Sequence, residues 1–331
     1  PATSKDSLID REAAIRMATA VLMVDVARAD HIYGKAVPIL KGKTVRKKSR
    51  GGRAIPRIAL PHPIHVEHKN IKLHMDYFFV NGNIFFHTKS KPLDFLTLQS
   101  CSSRQLRHIQ RGLEKVQKLY NNAGFTITAY SGDNEFEPLR NFLSPSHVDI
   151  TAANEHDGVI ERSIRTIEER ARCTCHSIPF KRIPILMLIE MIHDIVTCLN
   201  AFPTKTGIST SMSPATIVEG RSGLDASSRT MPFGTYCQVT LGSDNTMRPR
   251  TVAGIALRPS NTRGGWYFMS LMTGRRLHSN QYAELPVDDL VIARVEELAR
   301  KQKQPLMAGG DPLFEWTPGQ NILPHASNQY P

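Results

Sequence analysis

Three carboxylates in this chain, Asp76, Asp133 and Glu161, stand where a fold can bring them to one point. Asp76 closes the run Ile71-Lys72-Leu73-His74-Met75-Asp76. Its alternation puts Ile71, Leu73 and Met75 on one side of a strand and the acid on the other. Asp133 follows the apolar run Phe125 to Tyr130 through Ser131-Gly132. The glycine lets the chain turn at the strand end and leaves the acid at the sheet edge. Glu161 lies on a helix opened by His156-Asp157-Gly158, one step round from the stripe Ile160, Ile164, Ile167 and Ala171. Carboxylates gathered at one point repel each other unless a cation neutralises them, and such clusters bind hard metal ions.

Each acid also has a plainer use. Glu161 with Arg165, and Glu168 with Arg172, are spaced as ordinary ion pairs of a solvated helix face. Asp133 before Asn134 suits a turn. Glu155 and Asp157 are the nearest rivals to Glu161. Asp76 is harder to explain away, because an acid projecting from an apolar strand is costly once covered.

The elements that would position these acids read as an α/β layer fold. Asn81-Gly82 between two apolar runs predicts a hairpin of Ile71 to Val80 and Ile84 to Thr88. A third strand is expected over Leu93 to Gln99. A helix follows over Ser102 to Asn122, with Ser102 and Gln105 as a capping box, the stripe Leu106, Ile109, Leu113 and Val116, and a stop at Gly124. A short helix around Pro138 to Phe142 and a strand near Val148 to Ala152 precede the Glu161 helix, which runs to about Cys175. Cys173 and Cys175 are expected to pack inside. Pro184 starts a helix over Ile185 to Leu199. Glu190, His193 and Asp194 interrupt its apolar surface and give it one wet edge, which argues against a membrane span.

Gly158-Val-Ile-Glu-Arg-Ser-Ile-Arg-Thr-Ile resembles the Gly-x-x-Glu-Arg-x-x-Arg-Thr helix of the retroviral and retrotransposon integrases, most closely the copia-type group. The hairpin carrying Asp76 and the stretch Gly-Asp-Asn-Glu-Phe at Asp133 resemble that family's first two acidic sites. The resemblance implies an RNase H-like integrase core with Asp76, Asp133 and Glu161 as both the catalytic and the metal-binding triad. It implies two Mg2+ or Mn2+ ions, trimming of DNA ends and their joining to target DNA, and a homo-oligomer when active. One departure stands out: Glu161 follows Asp133 by 28 positions, fewer than is usual in the family, so the intervening loop is trimmed. The family's His-His-Cys-Cys zinc module is not visible. His62, His65 and His68 lie in a Pro-rich segment that reads as a solvated linker.

Composition points the same way. A net charge of +12 makes a polyanion the first partner to consider. Lys41, Lys43, Arg46, Lys47, Lys48, Arg50 and Arg53 form a tract suited to phosphates, to nuclear import or to a flexible linker. Arg162 and Arg165, beside Glu161, join the expected nucleic-acid contacts. The five cysteines are an odd, scattered set without zinc spacing, which favours a reducing nuclear or cytoplasmic compartment.

Four segments are expected. Residues 1–69 hold an N-terminal helix and basic linker, 70–222 the RNase H-like core, 223–290 a small barrel and 291–331 a helix and irregular tail. The barrel rests on five short strands from Tyr236 to Leu285 and resembles the SH3-like barrel that follows copia-type cores. Arg248, Arg250, Arg258, Arg263, Arg275 and Arg276 were candidates for its DNA-facing side. The chain reads as a piece of a longer polyprotein. Competing readings are a catalytically inactive, transposon-derived nucleic-acid-binding protein and an RNase H-like nuclease.

Overall fold

The computed structural model describes residues 23–42, 58, 61–150, 157–220, 229–241, 246–260, 264–306 and 314–315. Of the basic tract only Lys41 falls among them, exposed at the end of the short helix Val37–Gly42. Lys43, Arg46, Lys47, Lys48, Arg50 and Arg53 lie outside the described residues, as do Glu155, His156 and Arg263. The first helix described, Met23–Tyr33, covers only the end of the expected N-terminal helix.

Strands β1 (Asn70–Val80) and β2 (Asn83–Lys91) form the expected hairpin. Asn81 and Gly82, at φ 48° and 74°, adopt the left-handed conformations that a two-residue turn of this kind requires. β3 (Leu96–Cys101) pairs with β2 at one edge; β4 (Thr126–Gly132) and β5 (His147–Ile150) continue in parallel on the other side of β1. The order is β3-β2-β1-β4-β5, a mixed sheet, with the two-residue strand Phe314–Glu315 added beside Phe79 and Val80.

β1 explains the layering. Ile71, Leu73, Met75, Tyr77 and Phe79 enter one apolar cluster with Ile109, Leu113 and Val116 of α1 (Leu106–Asn122). Phe78 and Val80 enter another with Ile160, Ile164, Ile167 and Ala171 of α2 (Gly158–Ser177). The stripe on α2 is buried as its spacing predicts, whereas Leu106 on α1 is exposed.

Several local expectations shift. β3 begins at Leu96, not Leu93, because the turn before it is held by Asp94 (φ 56°), which Lys91 Nζ reaches at 2.6 Å and Thr204 Oγ1 at 2.9 Å. α1 begins at Leu106, and Gln105 at its N-cap makes no side-chain cap, so the Ser102 capping box does not form. The segment around His65 is a helical turn, His62–Glu67, with the His65 ring stacked on Phe125 at 5.1 Å; it is not a solvated linker. Cys175 is buried but Cys173 is exposed.

The second sheet is antiparallel, β10-β6-β7-β8-β9: β6 (Tyr236–Thr240), β7 (Thr251–Pro259), β8 (Trp266–Ser270), β9 (Arg276–Ser279) and β10 (Tyr282–Glu284). It is not separate from the first. Ile255, Leu257 and Met269 share one apolar cluster with Leu188, Met191 and Ile192 of α3 (Ile185–Asn200) and with Val291 and Val295 of α4 (Asp289–Lys301). No helix among the described residues is long and apolar enough to cross a membrane.

Candidate metal centre and its electrostatics

Asp76 and Asp133 sit at matching points of neighbouring parallel strands. The last paired residues of β1 and β4 are His74 and Ser131, and each acid lies two positions farther on. Pairing of β1 with β4 ends there, so the acids occupy the point where the strands diverge. Asp133 is exposed and occupies the N-cap position of the 3-10 turn Asn134–Leu139, without a side-chain cap hydrogen bond.

Glu161 lies in the first turn of α2. Asp157 caps that helix, its Oδ1 accepting from Val159 N at 3.0 Å, and its other oxygen lies 2.5 Å from His74 Nδ1. From His74 to Asp76 is two residues of strand, about 6.6 Å. From Asp157 to Glu161 is four residues of helix, about 6 Å. The rises are similar, and the His74 to Asp157 contact ties the first turn of α2, which carries Glu161, to β1 two residues before Asp76. A second pin holds the helix: Ser163 Oγ lies 2.8 Å from Nε2 of His87, and His87 is the cross-strand partner of Asp76. His87 is fully buried, and that burial brings its imidazole down to about 4, so it stays neutral.

Asp76 is covered and feels the charges of the other acids. Burial raises the Asp76 carboxyl first, and the charges of Asp133, Glu135 and Glu161 add to it, lifting it to about 7 against the lowering effect of the Tyr77 N–H. That N–H donates to Asp76 Oδ1 at 2.7 Å. Glu135, in the Gly-Asp-Asn-Glu-Phe stretch, is a fourth acid that acts on Asp76 and that its turn position alone does not single out. Arg104 Nη1 holds it at 3.0 Å and ties the β3–α1 loop to the turn after Asp133.

Asp157 behaves in the opposite way. Burial alone would raise it, but hydrogen bonds from His74 and Ser131, the nearby His74 charge and the Val159 N–H together bring it down to about 2. As a rival to Glu161 it is therefore spoken for: it caps and anchors the helix.

The donor set is all carboxylate oxygen, which suits Mg2+ or Mn2+. No group of three His, Cys, Asp or Glu among the described residues is drawn together tightly enough to hold one ion.

Arg162 and Arg165 are exposed on α2, on the helix that carries Glu161. The arginines of the second sheet divide. Arg248 and Arg275 are exposed; Arg258, largely covered, and Arg276, half exposed, both reach Glu190 of α3, at 2.5 and 2.6 Å, with Tyr267 beneath both guanidinium groups. Glu190, expected at a wet helix edge, is only 3% exposed. These two arginines tie the second sheet to α3.

No family model matches the chain, and no curated protein matches it. Among solved structures, the catalytic core domain of BIV integrase aligns with 45% of this chain and 93% of its own length, at 16% sequence identity and a TM-score of 0.32.

Proposed function

We propose that this chain is the integrase of a copia-type retrotransposon polyprotein, a metal-dependent polynucleotidyl transferase that trims DNA ends and joins them to target DNA. The observation that carries the reading is the Glu-Arg helix motif from Gly158 to Ile167, on a helix pinned to the β1–β2 hairpin by the Asp157–His74 and Ser163–His87 contacts. Beside it stands the carboxyl of Asp76, raised by burial and by the charges of Asp133, Glu135 and Glu161.

Asp76, Asp133 and Glu161 would hold two Mg2+ or Mn2+ ions, which supply activation of a water or 3′-hydroxyl and stabilisation of the leaving oxygen. Asp76 must lose its proton to serve as a ligand, so protons and cations compete for it below about pH 7. Arg162 and Arg165 would draw the phosphate backbone toward Glu161. The sheet β6–β10 is read as an SH3-like barrel. Joining two ends at one target calls for at least two copies of the chain.

The test is joining of a duplex oligonucleotide end to a plasmid in Mg2+ or Mn2+. Wild type joins, and Glu161→Gln does so at least a hundredfold less. The loose spacing of the acids favours one rival, a transposon-derived protein that binds nucleic acid and joins nothing. It predicts salt-sensitive DNA binding with no joined product. Cleavage of RNA in hybrids without joining would instead indicate an RNase H-like nuclease.

A further inference from the structure

A cleft of about 460 Å3 opens between α1 and edge strand β3, with lining residues distinct from the four acids. One wall carries His108, Arg111 and Lys115, spaced three and four apart on a single face of α1. The opposite wall carries Gln99, Ser100 and Ser102 of β3 and the loop after it. The floor is fixed: Gln99 Nε2 donates to the Gly112 carbonyl at 2.9 Å. Gly112 allows that approach, because a Cβ there would crowd Gln99 and Phe86.

No carboxylate lines the cleft. Among the described residues neither Arg111 nor Lys115 has an acidic partner, whereas Arg104, just outside it, is taken by Glu135. Arg111 and Lys115 stand beside His108, whose Nδ1 lies 3.3 Å from the Ser102 hydroxyl, and together they form a concave basic set. A tetrahedral anion with several acceptor oxygens fills such a set.

We propose that this cleft binds a phosphodiester group of nucleic acid, as a contact additional to those beside Glu161. It rests on the proposed function only in taking nucleic acid as the partner.

The test is the salt dependence of equilibrium binding of a short duplex oligonucleotide to the full chain in EDTA. No joining is needed, so an inactive enzyme leaves the test intact. Each phosphate contact contributes about 0.9 to the slope of log K against log salt. Arg111→Ala/Lys115→Ala should lower the slope by roughly one to two and weaken binding about tenfold at low salt. An unchanged slope and affinity would overturn the assignment. So would a variant that loses affinity for inorganic phosphate alone but keeps the duplex, since the occupant would then be a small free anion. Lys118→Ala, an exposed cation of α1 outside the cleft, should keep the wild-type slope.

Discussion

His74 Nδ1 and the Asp157 carboxylate lie 2.5 Å apart, a strand residue and a helix cap joined across 83 positions of chain. Both side chains are nearly buried, at 10% and 7% exposure. The pair acts through other residues, since it ties the first turn of α2, which carries Glu161, to the strand that carries Asp76.

Breaking that pair should cost stability and alignment together. Asp157→Ala leaves His74 buried without its partner and removes a helix cap, a loss of about 3 kcal/mol in urea unfolding. Because the Asp157 carboxyl sits below its ordinary value, its contribution is present above about pH 4. It is lost as pH falls through about 2. Asp157→Asn should flatten that acid limb of the stability profile. An unchanged acid limb would remove Asp157 from this role.

Asp76 gives the opposite sign. Its folded carboxyl titrates near 7, so the metal-free protein loses stability as pH rises from the usual carboxyl range through 7. Asp76→Asn should be more stable than wild type at pH 8 in EDTA, by about 1–3 kcal/mol. Mg2+ should raise the melting temperature of wild type at pH 8 and leave the variant unmoved. Equal melting temperatures for the two proteins in EDTA would count against a burdened Asp76.

Glu190 links the two sheets. Glu190→Ala leaves Arg258 largely covered and unpaired, and should cost about 3 kcal/mol. Calorimetry should then resolve the melting of β6–β10 as a separate, earlier transition. A single cooperative transition in the variant would show that the shared apolar cluster suffices without the ion pairs.

Gly124 ends α1 at φ 83°, and a Cβ there would collide with the His65 ring. Gly124→Ala should cost about 2 kcal/mol, and His65→Ala in the same chain should recover part of it. A neutral Gly124→Ala would mean that the helical turn His62–Glu67 does not dock on this face.

Local signals carried the parts of the fold that local chemistry decides. Asn81-Gly82 announced the hairpin, and the spacing of Ile160, Ile164, Ile167 and Ala171 announced the buried face of α2. What escaped was set by partners far along the chain. Ser102 could not be read as a non-cap, because the loop it sits in is held by Arg104 on Glu135. Glu190 looked solvated because its arginines, Arg258 and Arg276, come 68 and 86 positions later. Asp157 looked like a spare acid until His74 was seen to face it. Glu135 was overlooked because nothing in its spacing separates a turn acid from one that adds to a charge cluster.

The claim at the centre is that Asp76, Asp133 and Glu161 share divalent cations, and equilibrium Mn2+ binding followed by paramagnetic resonance tests it most directly. The account predicts two ions bound by wild type, with affinity reduced at least tenfold in each of Asp76→Asn, Asp133→Asn and Glu161→Gln. Mn2+ binding by Glu161→Gln indistinguishable from wild type would contradict it.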